Sequence, residues 1–104
     1  MSFAKHIEGH FKEGMREEAT KKVVDFYNGL SGKIKGFNGF IMSGSLEDPQ
    51  KAVNITLWDT REDMDDYYAN NKEYSSFLES LNPLIEQVAE NKDYRVFGFM
   101  INKQ

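Results

Sequence analysis

The residues best suited to chemistry lie in one stretch, "NITLWDTREDMDDYY", residues 54–68. Asn54 and Trp58 are four apart in a β-branched run, so their side chains share one face of a strand. A carboxamide and an indole N–H are hydrogen-bond donors, suited to an oxygen that carries developing negative charge. The same two residues could equally be a buried polar group that satisfies the backbone and a core plug at a strand end. Tyr67 and Tyr68 follow on a helical segment. Adjacent helical residues differ by about 100 degrees, so only one of the two readily faces the sheet. That phenol could hydrogen-bond a bound ring or act as an acid or base. Tyr74 and Phe77 could line the same cavity by stacking, or pack in the core.

A second cluster is "HIEGH", residues 6–10. On a helix, His6 and His10 would sit one turn apart and suggest a metal site. The surrounding alternation says strand, which sets them roughly 13 Å apart, too far to share one ion. No metal site is therefore expected. His6 and His10 remain candidate substrate contacts on a polar strand face that also carries Glu8.

These residues need elements to position them. "SFAKHIEGHF" (2–11) alternates, with Phe3, Lys5, Ile7, Gly9 and Phe11 on one face, and predicts a strand. Met15, Ala19, Val23, Phe26/Tyr27 and Leu30 predict a helix, with Gly29 and Gly32 as stop signals. "GFNGFIMSGS" (36–45) reads as a glycine-rich strand, "LEDPQK" (46–51) as a turn and "AVNITLW" (52–58) as a strand. Gly36 and Gly39 are expected to serve strand bending or close packing. Thr60 with Asp63 predicts a helix start. "NNKE" (70–73) interrupts that helix. A helical stripe resumes from Tyr74 through Phe77, Leu78, Leu81 and Leu84/Ile85 to Val88, with a kink at Pro83. "YRVFGFMI" (94–101) predicts the last strand.

The order β-α-β-β-α-β predicts an α+β, ferredoxin-like fold: a four-stranded antiparallel sheet with helices on one face. Val96, Phe97, Phe99, Met100 and Ile101 put large apolar groups on both faces of the last strand. A second copy of the chain is the expected cover, giving a homodimer through the sheet. Which face carries the helices is open. Phe3, Ile7 and Phe11 look helix-facing on the first strand, and Val53, Ile55 and Leu57 look helix-facing on the third. That choice would turn Asn54 and Trp58 away from the helices.

Bulk properties narrow the function classes. The 104 residues fit one domain spanning 1–104. The net charge of −4 leaves no basic stripe for nucleic acid. With no cysteine, disulfide and thiol chemistry are excluded, and a reducing cytoplasm is the expected location. The N-terminal segment has no apolar signal-peptide core, and no stretch approaches the ~20 apolar residues of a membrane-spanning helix.

Four pieces together resemble the antibiotic biosynthesis monooxygenase domain family of dimeric α+β barrels: "IKGFNGFIMSGSLEDP" (34–49), "NITLWDT" (54–60), "REDMDDYYANNKEYSSFLESLNPL" (61–84) and the closing strand. The resemblance covers nearly the whole chain, through motifs that are mostly structural. It implies a homodimer whose sheets form a barrel, and a pocket in each subunit between sheet and helices. Quinone-forming members use an Asn and a Trp at the spacing of Asn54 and Trp58 to hold a polyphenol, which makes these two the implied catalytic pair. Met64 stands where those enzymes would carry a tyrosine. The implied activity is a monooxygenase without a cofactor, acting on a small phenolic or enolisable, quinol- or polyketide-like metabolite. The alternative is a non-catalytic small-ligand-binding or stress-associated dimer. Haem-cleaving relatives need an Asn, a Trp and a His where this chain has about Ile7, Tyr67 and Phe77, so haem degradation is disfavoured.

Overall fold

The computed structural model describes residues 2–102, with Val88 described by its backbone only. The elements run β1 (Ser2–Phe11), α1 (Arg16–Asn28), β2 (Phe37–Gly44), β3 (Lys51–Trp58), α2 (Arg61–Asn70), α3 (Lys72–Leu81), a 3-10 turn (Asn82–Leu84) and β4 (Ile85–Val96). The strands form one sheet in the order β2-β3-β1-β4, and every neighbouring pair is antiparallel. This is the ferredoxin-like α+β arrangement, with the helices on one face.

The helices form where the sequence supplies a stripe and a cap. Ala19, Val23 and Tyr27 of α1 recur at steps of four and are buried. Thr60 caps α2, its hydroxyl accepting from the Asp63 N–H at 3.0 Å. Asn71 ends α2 and caps α3, its side-chain oxygen accepting from the Tyr74 N–H at 2.8 Å. The interruption expected over 70–73 is thus a single residue.

The 3.6-residue stripe stops at Leu81. Pro83 enters a 3-10 turn, and Ile85 already belongs to β4. The last part of the helix expected through Val88, residues 85–88, is instead the first third of a 12-residue strand. The reason is tertiary: β1 is ten residues long, and its free edge takes Ile85–Val96 as a partner, from Phe11↔Ile85 to Ser2↔Val96. The last strand therefore ends at Val96, where the expectation ran to residue 101. Among the described residues β1 begins at Ser2, so nothing opposes residues 97–102, and Phe97 is 92% exposed.

Register settles the faces. Phe3 lies opposite Trp58, Lys5 opposite Thr56, Ile7 opposite Asn54 and Gly9 opposite Ala52. Ala52, Asn54, Thr56 and Trp58 are all buried and face the helices. The expectation that Val53, Ile55 and Leu57 face the helices is overturned. They are half-buried on the other side of the sheet, alongside His6, Glu8 and Ile41. On β1 the Phe3, Ile7 and Phe11 set does face the helices, as expected; on β3 alternation separates the two sets correctly, but greater hydrophobicity points to the wrong one. Gly36, at φ 78, carries the chain into β2 against the first turn of α2, where an added Cβ would strike the Asp63 side chain.

Candidate active site

A cavity of about 70 Å³ lies between the sheet and the helices. Its floor is Ile7 and Gly9 of β1 with Ala52 and Asn54 of β3. Val23 and Tyr27 of α1 and Tyr74, Phe77 and Leu81 of α3 lie over it, while Leu78 and Gln87 mark its rim. The lining is almost wholly apolar, and Asn54 is the polar group in its floor. Asn54 is only 5% exposed, and its Oδ1 is buried without a hydrogen-bond partner. An unpartnered buried carbonyl costs roughly 1–3 kcal/mol, so such groups are rare and point to a ligand or to strain. The torsion that turns a carboxamide is broad, and no group among the described residues holds the Oδ1 end.

Trp58 sits differently from the expectation. It is fully buried (0% exposed) and does not line this cavity. Its Nε1–H donates to Thr56 Oγ1 at 2.9 Å. Thr56 Oγ1 in turn meets the Tyr68 hydroxyl at 2.8 Å, and Tyr68 meets the Tyr27 hydroxyl at 3.1 Å. One chain of polar hydrogens thus runs from Trp58 to Tyr27, whose residue forms part of the cavity wall. An indole can only donate, so this chain ends at Trp58 and provides no route for a proton beyond it.

Tyr67 and Tyr68 both pack inward, where an inward and an outward tyrosine were expected. Their rings lie 5.3 and 5.8 Å from the Trp58 ring and 5.2 Å from each other, centroid to centroid, in one three-ring cluster. Tyr74 stacks edge-on against Tyr68 at 4.9 Å, and Phe77 lies flat on Phe26 at 4.2 Å. Of the two inward-facing phenols on α2, Tyr67 has a buried hydroxyl with no partner.

Burial pushes all four phenols up. For Tyr27, Tyr67 and Tyr74 the next cause is the neighbouring Tyr68, since two phenolates could not share this space. For Tyr68 the burial is opposed by its hydrogen bonds with Thr56 and Tyr27. The four hydroxyls therefore stay protonated at neutral pH and act as hydrogen-bonding groups, not bases.

Lys5 shares this helix-facing side. Its Nζ pairs with Asp93 Oδ1 at 2.6 Å and lies 5.1 Å from the centre of the Tyr68 ring. Sequence reasoning placed Lys5 on the correct strand face but assigned it no role. It overlooked Thr56 altogether. The signal for Thr56 was its parity: it lies between Asn54 and Trp58 on the same strand face.

His6 and His10 are not brought to this cavity. They lie on the opposite side of the sheet, His6 against the Tyr94 ring at 4.4 Å and His10 Nε2 at 3.5 Å from Asp48 Oδ2. Between them Glu8 meets Lys51 at 3.0 Å, and that hydrogen bond lowers the Glu8 carboxyl. Among the described residues, no group of three or more His, Cys, Asp or Glu side chains is placed to hold a metal ion. Among the described residues, no helix is long and apolar enough to cross a membrane.

No family model and no curated protein matches the sequence. Solved structures do match its fold. A candidate antibiotic biosynthesis monooxygenase from Nitrosomonas europaea superposes with a TM-score of 0.79 at 14% identity, over 92% of this chain and 90% of that one. A second, from Bordetella bronchiseptica, gives a TM-score of 0.80 at 12% identity, over 91% and 96%. A mutant of SnoaB, a cofactor-independent oxygenase from Streptomyces nogalater, gives 0.75 at 11% identity, over 97% and 98%. At these identities the likeness is one of fold, and it agrees with the family resemblance found in the sequence.

Proposed function

We propose that this chain is a monooxygenase that needs no cofactor and acts on a small phenolic or enolisable metabolite held in the cavity between sheet and helices. The observation that carries the reading is the Asn54 carboxamide, buried in the floor of an apolar cavity with its oxygen unpartnered. An electron-rich phenolate or enolate can itself pass an electron to dioxygen. One oxygen atom enters the product and the other leaves as water with two hydrogens of the substrate. The protein's part is to exclude water, to hold the ring, to accept from the substrate hydroxyl at Asn54 Oδ1, and to turn the NH2 of the same carboxamide to the oxyanion once that proton has left. Trp58 acts one step back, fixing Thr56 and Tyr68 and through them Tyr27. Substrate and dioxygen supply the redox chemistry, and the substrate must be acidic enough to ionise without help from the buried phenols.

Oxygen uptake with a panel of quinols and hydroxyanthrones tests this reading. Asn54→Ala should lower turnover at least tenfold, and Trp58→Phe should lower it less. Unchanged rates in both variants would remove the site assignment. The protonated state of the four phenols favours one alternative, a non-catalytic binding protein. That reading predicts ligand-dependent thermal shifts with no oxygen consumed.

The chain is proposed to work as a homodimer. Phe97, Phe99, Met100 and Ile101 are 69% to 92% exposed and follow directly on the edge strand, and the open sheet face adds Ile41 and Tyr94. A contiguous apolar run of this kind is costly in water, and a second copy related by a two-fold axis would cover it. Sedimentation showing a species of 12.0 kDa at micromolar concentration would refute it.

A further inference from the structure

We propose that Tyr27 is the donor half of a two-point site whose acceptor half is Asn54, so that the ligand presents a carbonyl to Tyr27 and a hydroxyl to Asn54. This rests on the reading of the cavity as the ligand site.

The Trp58 indole, Thr56, Tyr68 and Tyr27 are joined by three hydrogen bonds and bring four polar hydrogens to them, so one hydrogen is left over. The indole must donate, which puts its hydrogen on Thr56 Oγ1. Thr56 is 0% exposed, and the other side-chain group in reach of its hydroxyl among the described residues is the Tyr68 hydroxyl. If Tyr68 donated to Thr56, the Thr56 hydrogen would be buried with no acceptor. Thr56 therefore donates to Tyr68. If Tyr27 donated to Tyr68 as well, the Tyr68 hydrogen would be stranded in its turn. Donation thus runs one way, from Trp58 through Thr56 and Tyr68 to Tyr27, and the spare hydrogen sits on the Tyr27 hydroxyl.

Tyr27 stands in the wall of the cavity whose floor holds Asn54. The cavity therefore contains two unmet groups of opposite kind, a hydroxyl hydrogen on Tyr27 and an acceptor oxygen on Asn54. They do not satisfy each other, since Asn54 Oδ1 has no partner. A ligand that carries a hydroxyl and a carbonyl meets both, and it binds one way round. Burial keeps the Tyr27 phenol protonated, so the donor persists at neutral pH. Two other polar residues belong to the lining. Gln87 is exposed at the rim, where water serves it. Tyr74 takes no part in the three bonds but lies beside Tyr27, and a hydrogen passed on to it would move the donor there.

Calorimetric titration of the full chain with 3- and 4-hydroxyacetophenone, 4-ethylphenol and acetophenone at millimolar concentrations tests the proposal. One of the two hydroxyacetophenones should bind about tenfold more tightly than 4-ethylphenol, which lacks the carbonyl, and than acetophenone, which lacks the hydroxyl. A cavity without the donor gives the reverse order, because a carbonyl desolvated without a partner costs affinity. Equal or tighter binding of 4-ethylphenol overturns the proposal. Tyr27→Phe should weaken the preferred hydroxyacetophenone about tenfold and 4-ethylphenol by less than about twofold. The carbonyl stretch of the bound ketone should lie lower in the unmodified chain than in this variant. Tyr74→Phe should leave the preference intact, and its loss there would overturn the assignment to Tyr27. Thr56→Val keeps Tyr27 in place but lets it turn its hydrogen back to Tyr68, so the preference should shrink to about threefold or less; an undiminished preference overturns the one-way chain. If none of the four compounds binds, this proposal and the assignment of the cavity fall together. If they bind in the expected order and no quinol is oxidised, the oxygenase reading falls and the two-point site stands.

Discussion

Replacing Asn54 by leucine should make the protein more stable while removing its function. Asn54 Oδ1 is buried and accepts no hydrogen bond. Leaving such a group unpaired costs roughly 1–3 kcal/mol, and an apolar side chain of the same branching abolishes that cost. Leucine is larger, but the cavity of about 70 Å³ beside it takes the extra volume, so little overpacking opposes the gain. The net effect is a stabilisation of about 1–2 kcal/mol. For a chain of this size, each kcal/mol moves the melting temperature by about 4–8 °C, so Tm should rise by at least about 4 °C. Urea unfolding should show a higher midpoint with an unchanged slope, because the surface exposed on unfolding barely changes. Oxygen uptake should fall at least tenfold in the same variant. A loss of 1 kcal/mol or more would refute the reasoning, since it would show that the carboxamide is satisfied in the folded state. The exchange of stability for activity is what a preorganised polar group in an apolar cavity implies.

Thr56→Val keeps the β-branched shape but leaves the Trp58 N–H buried without an acceptor, and should cost about 2–3 kcal/mol by urea unfolding, with a shift in the emission of the single tryptophan. Alkali should unfold the chain early. Tyr27, Tyr67, Tyr68 and Tyr74 have hydroxyls raised by burial in the folded state, so at high pH the folded state binds more protons than the unfolded one. Their stabilising contribution is complete below the unfolded value of about 10 and is lost above it at about 1.4 kcal/mol per pH unit for each phenol. Tyrosinate absorbance near 295 nm should then rise for these four together with loss of the far-UV circular dichroism signal, and independent titration of the four in a folded chain would refute it. Gly36→Ala should cost about 2 kcal/mol, because the position needs φ 78 and its Cβ would strike Asp63, and a neutral result in thermal unfolding would show that α2 can move aside.

The order of elements and the sets of residues sharing each strand face were legible in the sequence. Which face meets the helices was not. Period two groups Asn54 with Trp58 and Val53 with Leu57, but it carries no sign. The usual guide is that the more apolar set goes inward. Here Thr56 goes inward because Trp58 and Tyr68 satisfy its hydroxyl, and Asn54 goes inward because it opens on a cavity. The start of β4 was hidden for a related reason. Tyr74 to Leu81 spell a helix locally, and nothing in "IEQVAENKDYRV" announces that β1 needs a partner along its whole length. The Trp58–Thr56–Tyr68–Tyr27 chain joins β3 to two helices, so no single window of sequence contains it.

Asn71 is one residue with two duties, the C-cap of α2 and the N-cap of α3. Its extended backbone, φ −77 and ψ 117, is the one non-helical joint between two helical bodies. The first is anchored around Trp58, and the second carries Tyr74, Phe77 and Leu81 over the cavity. Any shift of the second body relative to the first must turn this one pair of torsions. The Phe26–Phe77 stack ties the same body to α1, so the wall over the cavity is held at its N-terminal joint by one backbone angle pair and along its length by one ring pair.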